Sequence, residues 1–227
     1  MFEDKVGRLF IVGVIHVDKT SVERVRNTIH EQHPTIVALE LCEERLAALR
    51  SPPKQALSLN RNLLFSLFEI LERTIGKELG VSPGTEMLEA SKAAEEVGAR
   101  LELIDFPISE TASCVDNMPF VEKTRLFIDG LTTLLSLMLP WRKTSTLLTS
   151  LDEALTEFRD RYPTLYKCLV EDRNRHMAAR LHSLLNSTTG SVVAVVGLGH
   201  LKWLTQELTR LEFSVGSYSF GWTIGSP

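Results

Sequence analysis

Val192-Val193-Ala194-Val195-Val196 runs straight into Gly197-Leu198-Gly199-His200. A continuous apolar run without polar alternation reads as a strand buried on both faces, the setting of a central strand in a parallel sheet. A strand covered on both sides needs helices packed on its sheet, which restricts the chain to an α/β architecture. The histidine then stands at the carboxyl end of the strand, the edge where open α/β sheets build their sites. The chain's beginning repeats the pattern: Leu9-Phe10-Ile11-Val12 leads into Gly13-Val14-Ile15-His16. Both turns read Gly-x-x-His, and the rest of the chain reads as the means of bringing these two ends together.

The intervening sequence supplies the remaining layers. Arg8 to Gly13 is a first strand. A helix follows to about His33, with Val22, Val25 and Ile29 on one face, and Pro34 ends it. Thr35 to Leu39 is a second strand that delivers Glu40, completing a βαβ unit whose crossover should be right-handed. A short helix then runs to Ser51-Pro52-Pro53, and residues 54–80 read as a helical insertion rich in Leu and Phe. Pro83-Gly84-Thr85-Glu86 opens another helix with Met87, Ala90, Ala94 and Val97 as its buried stripe, and Gly98 sits where a C-terminal cap belongs. Arg100 to Ile104 is a third strand ending in Asp105. Residues 108–186 hold no strand and read as helices, among them 121–139, 145–159 and 162–185. Val192 to Val196 is a fourth strand, His200 to Leu211 a helix, and Phe213 to Phe220 a final strand. The expected fold is therefore one α/β domain over residues 1–227. Its central sheet is mixed, mainly parallel, of about four or five strands flanked by helices, with a large helical insertion between strands three and four.

Composition narrows the class. With 25 basic against 29 acidic residues, the net charge of −4 and the absence of a basic stripe argue against nucleic-acid binding. Cys42, Cys114 and Cys168 are widely scattered with no CxxC pair, so neither a zinc knuckle nor a disulfide framework is expected, and a reducing, cytoplasmic setting is the plain reading. The polar start Met1-Phe2-Glu3-Asp4-Lys5 is not that of a signal peptide. No segment reaches the ~18 uninterrupted apolar residues of a membrane span. Membrane association would require a region beyond Pro227, in which case this chain would be the cytosolic domain of a membrane protein.

Each parallel strand in this reading ends in a polar side chain: His16, Glu40, Asp105 and His200. Two imidazoles and two carboxylates on one sheet edge are a ligand set suited to a divalent metal such as Zn²⁺, Mn²⁺ or Co²⁺. Such an ion would acidify water toward a pKa of ~7, and a remaining carboxylate could act as general base. The bland alternatives are a salt bridge from Glu40 to Arg45 or Arg173, and a capping role for Asp105. Arg173 and Asn174 fall on the apolar side of the 162–185 helix, where they need buried partners such as Glu40 or a bound anion. Glu86, at the start of its helix, either complements the helix dipole or joins the site. Gly197-x-Gly199 lacks the third glycine of a dinucleotide loop, so a nucleotide site is not expected.

Six segments in order resemble the TraB/PrgY (pheromone shutdown) family, which is similar to the Tiki metalloproteases and the EreA/ChaN-like group. They are Gly13-x-x-His16 with Ser21; Pro34-Thr35-Ile36-Val37-Ala38-Leu39-Glu40-Leu41-Cys42 with Arg45; Pro83-Gly84-x-Glu86-x-x-x-Ala90; Gly98-Ala99-x-Leu101-x-Leu103-Ile104-Asp105; Glu171-x-Arg173-Asn174-x-x-Met177; and Val195-Val196-Gly197-x-Gly199-His200. The resemblance implies a metal-dependent hydrolytic site of the peptidase kind, in which His16, Glu40 and His200 are central and Arg173 and Asn174 support them. It also implies action on a peptide signal, which hydrolysis or sequestration by a non-catalytic binding module would each explain. A peptide or small molecule is the expected ligand, and a homodimer through the apolar helices is compatible with the pattern. Four positions depart from the family: Phe106 and Cys114 stand where many members carry arginine, and Val14-Ile15 stand where relatives often have Thr-Ala.

Overall fold

A computed structural model of the chain describes residues 3–14, 19–51, 84–138 and 151–214. The sheet is built from β1 (Glu3–Val6), β2 (Leu9–Val14), β3 (Ile36–Leu39), β4 (Arg100–Leu103) and β5 (Val192–Gly197), in the spatial order β1-β2-β5-β3-β4. β1 pairs antiparallel with β2 through a turn at Gly7, and the other four strands are parallel. β5 is the central strand, between β2 and β3, as its unbroken apolar run demands. Its residues alternate between two cores. Val192, Ala194 and Val196 face one side with Leu9, Ile11, Ile36 and Ala38, while Val193 and Val195 face the other with Val12, Val14, Val37 and Leu39.

Helices cover both faces. α1 (Lys19–Gln32), α2 (Glu43–Arg50) and α3 (Thr85–Val97) pack on one side through Val25, Ile29, Leu46, Met87, Ala90, Ala93 and Ala94. The other side carries α8 (Arg173–Ser187), through Met177, Ala178, Leu181 and Leu184, and α9 (Leu198–Ser214), through Leu201, Leu204 and Leu208. Between β4 and α8 lie α4 (Ile108–Asp116), α5 (Phe120–Met138), α6 (Leu151–Arg161) and α7 (Pro163–Tyr166). Met118, Tyr162 and Leu165 form a smaller core of their own there. A π-turn, Lys167–Asp172, joins α7 to α8. At the opposite end of α8, Arg8 donates to the carbonyls of Leu185, Thr188 and Gly190, tying the start of β2 to the helix C-terminus.

The structure differs from the sequence reading in four places. β1 carries only one apolar residue at Val6 and gave no strand signal of its own; it forms because the Gly7 turn folds it onto β2. The 162–185 helix is interrupted by the π-turn. The expected final strand does not begin at Phe213, because α9 continues through Ser214; residues 215–220 lie outside the described residues. Cys114 and Cys168 form a disulfide with Cα atoms 6.0 Å apart, which their spacing of 54 residues concealed. The 54–80 insertion lies outside the described residues.

Candidate functional site

The strand order decides which side chains meet. β2 and β5 run side by side with Gly13 opposite Val196 and Val14 opposite Gly197, so the two Gly-x-x-His turns leave adjacent strands at the same sheet edge. His16 itself lies outside the described residues. On the other flank of β5, β3 ends with the Glu40 N–H donating to Val195 O at 3.0 Å. The Glu40 side chain then reaches across the end of β5, where Oε2 accepts from the Gly197 N–H at 2.6 Å. β4 ends one strand further out and brings in Asp105.

Arg173 joins the two carboxylates. Its Nη2 donates to Glu40 Oε1 at 2.7 Å and Asp105 Oδ2 at 2.7 Å, and its Nε donates to Asp105 Oδ1 at 2.8 Å. Arg45, from α2, adds a donor to Asp105 Oδ2 at 2.5 Å, and the Phe106 N–H donates to Oδ1 at 2.8 Å. Glu40, Asp105 and Arg173 are all buried or nearly so. Burial by itself would lower the Arg173 pKa, but the charges of Glu40 and Asp105 outweigh it and hold the guanidinium above its ordinary range. Two carboxylates and two guanidiniums cancel, which is how a buried charge cluster survives at this edge.

His200, in the first turn of α9, completes the group. Its Nδ1 lies 2.9 Å from Asn174 Oδ1 and its Nε2 lies 3.3 Å from Glu40 Oε1. An amide oxygen only accepts, so Nδ1 carries a proton and Nε2 is the nitrogen turned toward the carboxylate. Two bare acceptors do not face each other at that range without a proton or a cation between them. Asn174 is fully buried, and its Nδ2 has no hydrogen-bond partner among the described residues.

Of the residues expected at the edge, the structure thus brings together Glu40, Asp105, Arg173, Asn174 and His200. Glu86 is also buried, in the first turn of α3 on the α1 side of the sheet, whereas Arg173 and Asn174 come from the opposite face. Two participants went unassigned in the sequence. Arg45, close to Glu40 in sequence, reads as a partner for Glu40, but its guanidinium goes to Asp105. The Gly197 N–H has no side-chain signal at all. Phe106 stacks on His176 with ring centroids 4.5 Å apart, giving the position next to Asp105 an aromatic wall. Burial holds the His176 pKa below its usual value, with Arg180 adding to the effect and Asp105 and Glu110 opposing it.

The donor set partly fits a metal. Two ligands that each stand ~2.1 Å from one tetrahedral ion are roughly 3.4 Å apart, close to the Glu40–His200 separation of 3.3 Å. Asp105 fits less well: two donors hold each of its oxygens, Arg45 and Arg173 on Oδ2 and Arg173 and the Phe106 N–H on Oδ1, and no imidazole among the described residues is paired with it, whereas Glu40 faces His200. No group of three His, Cys, Asp or Glu side chains is placed for a metal among the described residues. No helix among the described residues is long and apolar enough to cross a membrane.

Known proteins carry the same arrangement of sequence. The profile of the TraB/PrgY/gumN family matches residues 2–212. An uncharacterized protein of Methanocaldococcus jannaschii is 32% identical over 90% of this chain and 54% of its own length. A human TraB domain-containing protein is 28% identical over 86% of this chain and 61% of its own, and its mouse counterpart is 27% identical over the same shares. The chain thus spans between about half and three-fifths of the length of these curated relatives. With a family match running from β1 into α9, and so across every residue of the Glu40–Arg173–His200 group, this chain belongs to the TraB/PrgY/gumN family.

Proposed function

We propose that this sheet edge is the site of a metal-dependent hydrolase acting on peptide-like substrates. One observation carries the reading: Asn174 fixes Nδ1 of His200 as a donor, which aims Nε2 at Glu40 Oε1 across a gap of 3.3 Å. A metal-bound histidine usually donates its other ring N–H to an oxygen acceptor, the part that Nδ1 plays toward Asn174 Oδ1. In this reading His16 and His200 hold a Zn²⁺, Mn²⁺ or Co²⁺ ion with Glu40, which also serves as the proton acceptor. When bound, such an ion supplies Lewis acidity toward a carbonyl and acidifies water toward neutrality.

The chain's own residues have separate tasks. Arg173 fixes the direction of Glu40, and Asp105, itself held by Arg45, anchors Arg173. Asn174 holds His200 with its oxygen. Glu86 is a further candidate for proton transfer. A second reading uses the same edge for stoichiometric peptide binding. It is favoured by the exposed apolar residues of α5, Phe120, Val121, Phe127 and Ile128, which offer a surface for a peptide or for a second copy of the chain.

Turnover separates the two. Wild-type protein incubated with a peptide library should cleave members in a chelator-sensitive manner. Glu40→Gln should reduce the rate at least a hundredfold, the size of a general acid–base contribution. Chelator-insensitive binding without cleavage would replace hydrolysis with sequestration.

A further inference from the structure

Cys114 and Cys168 sit at the two approaches to the charge cluster. Cys114 is on α4, the helix that follows Asp105, and Cys168 is in the π-turn that leads straight into Arg173 and Asn174. Their Cα atoms are 6.0 Å apart, inside the range of roughly 4.4–6.8 Å that a disulfide spans. The π-turn joins two segments with separate anchors. α8 is fixed in the main core by Met177, Ala178 and Leu181, and α7 is fixed in the small core by Leu165 with Tyr162 and Met118. A π-turn carries one residue more than an α-turn would, so it settles which residues of α8's first turn point at the sheet edge. Relaxed to α-helix, it would shift Arg173 and Asn174 against Glu40, Asp105 and His200. The cystine binds that turn to α4.

We propose that Cys114 and Cys168 form a reversible thiol–disulfide site that locks the π-turn and so controls the placement of Arg173 and Asn174. The inference does not depend on the metal reading. Cys168 is the less buried of the two and is the sulfur open to exchange, while Cys114 is 7% exposed. A thiolate of a dithiol reductant attacks Sγ of Cys168, the S–S bond breaks, and Cys114 leaves as a thiolate that takes a proton. The reductant's second thiolate then attacks its own sulfur in the mixed disulfide and releases Cys168 as a thiol. Two electrons pass to the protein and the reductant ends as a disulfide. Cys42 stays outside this exchange: it is buried, and burial pushes its thiol pKa up and keeps it protonated.

The test uses the whole chain with dithiothreitol. Protein equilibrated with oxidised dithiothreitol, then denatured and alkylated, should take up a label at Cys42 alone. After reduction it should take up labels at Cys42, Cys114 and Cys168. Amide hydrogen exchange over residues 167–174 should accelerate at least tenfold on reduction, while exchange in Val192–Gly197 stays unchanged. Cys114→Ser should exchange like the reduced wild type and respond no further to reductant. Labels at all three cysteines after oxidation would show that the site does not form. Unchanged exchange over residues 167–174 on reduction would show that the disulfide has no hold on the turn. Either result overturns the proposal.

Discussion

Removing Arg173 would take the shared guanidinium from two buried carboxylates, leaving Arg45 on Asp105 and the Gly197 N–H and His200 beside Glu40. Breaking a buried ion pair from one side costs about 3–5 kcal/mol, because the remaining charge loses its partner and cannot reach water. Arg173→Ala should therefore lower the unfolding free energy by about that much in urea titration. Arg173→Lys should recover only part of it, since an ammonium cannot make the paired contacts that Nε and Nη2 make with Asp105. A loss near zero would mean that the cluster contributes nothing net to folding. His176 sets a separate pH dependence. Its folded pKa lies below the ordinary 6.5, so the unfolded chain takes up the proton first as pH falls. Stability should hold above that value, decline as pH drops through it, and level off below the folded pKa. His176→Phe keeps the stack on Phe106 and removes the titration. Its unfolding free energy should vary less between neutral and mildly acidic pH than that of the wild type, and an unchanged slope would assign the dependence to other groups.

At the scale of the elements, the helix ends were legible and the π-turn was not. Gly98 was expected as a C-cap, and it takes φ +71° there with its N–H bonded to Ala94 and Glu95. Gly84 takes φ +85° at the other end of α3, where an added Cβ would lie 2.6 Å from the tip of Leu49. Both positions are left-handed, so alanine at either costs about 1–2 kcal/mol. Gly84→Ala should cost more than Gly98→Ala, because Leu49 must also move, whereas nothing lies within 4 Å of a Cβ at Gly98. Thermal melts of the two variants check the order. The π-turn escaped the sequence because an extra residue in a helix leaves the apolar spacing on either side almost intact. Tyr162 and Leu165 before it and Met177 and Leu181 after it each fit a helical stripe. Only their attachment to different cores shows that the stripes are not continuous. The consequence was nevertheless legible. Arg173 and Asn174 on an apolar face required buried partners, and they found Glu40, Asp105 and His200.

At the scale of the molecule, β5 inserts between β2 and β3 although almost the whole chain separates it from β2. The unbroken apolar run of Val192–Val196 announced that central place, and the matching Gly-x-x-His turns announced the pairing with β2. What the sequence could not convey is the order across the edge. β5 beside β3 puts the Gly197 N–H and His200 within reach of Glu40, while β4 on the outside leaves Asp105 to anchor arginine. Strand order depends on contacts far apart in the chain and leaves no local trace. In the proposed function, His16, Glu40 and His200 hold one divalent ion. Metal analysis of purified protein equilibrated with Zn²⁺, Mn²⁺ or Co²⁺ tests it directly. The wild type should retain close to one equivalent per chain, and His16→Ala and His200→Ala should each weaken retention at least tenfold while remaining folded. A wild type that retains no divalent ion, or retention that survives both substitutions, would contradict it.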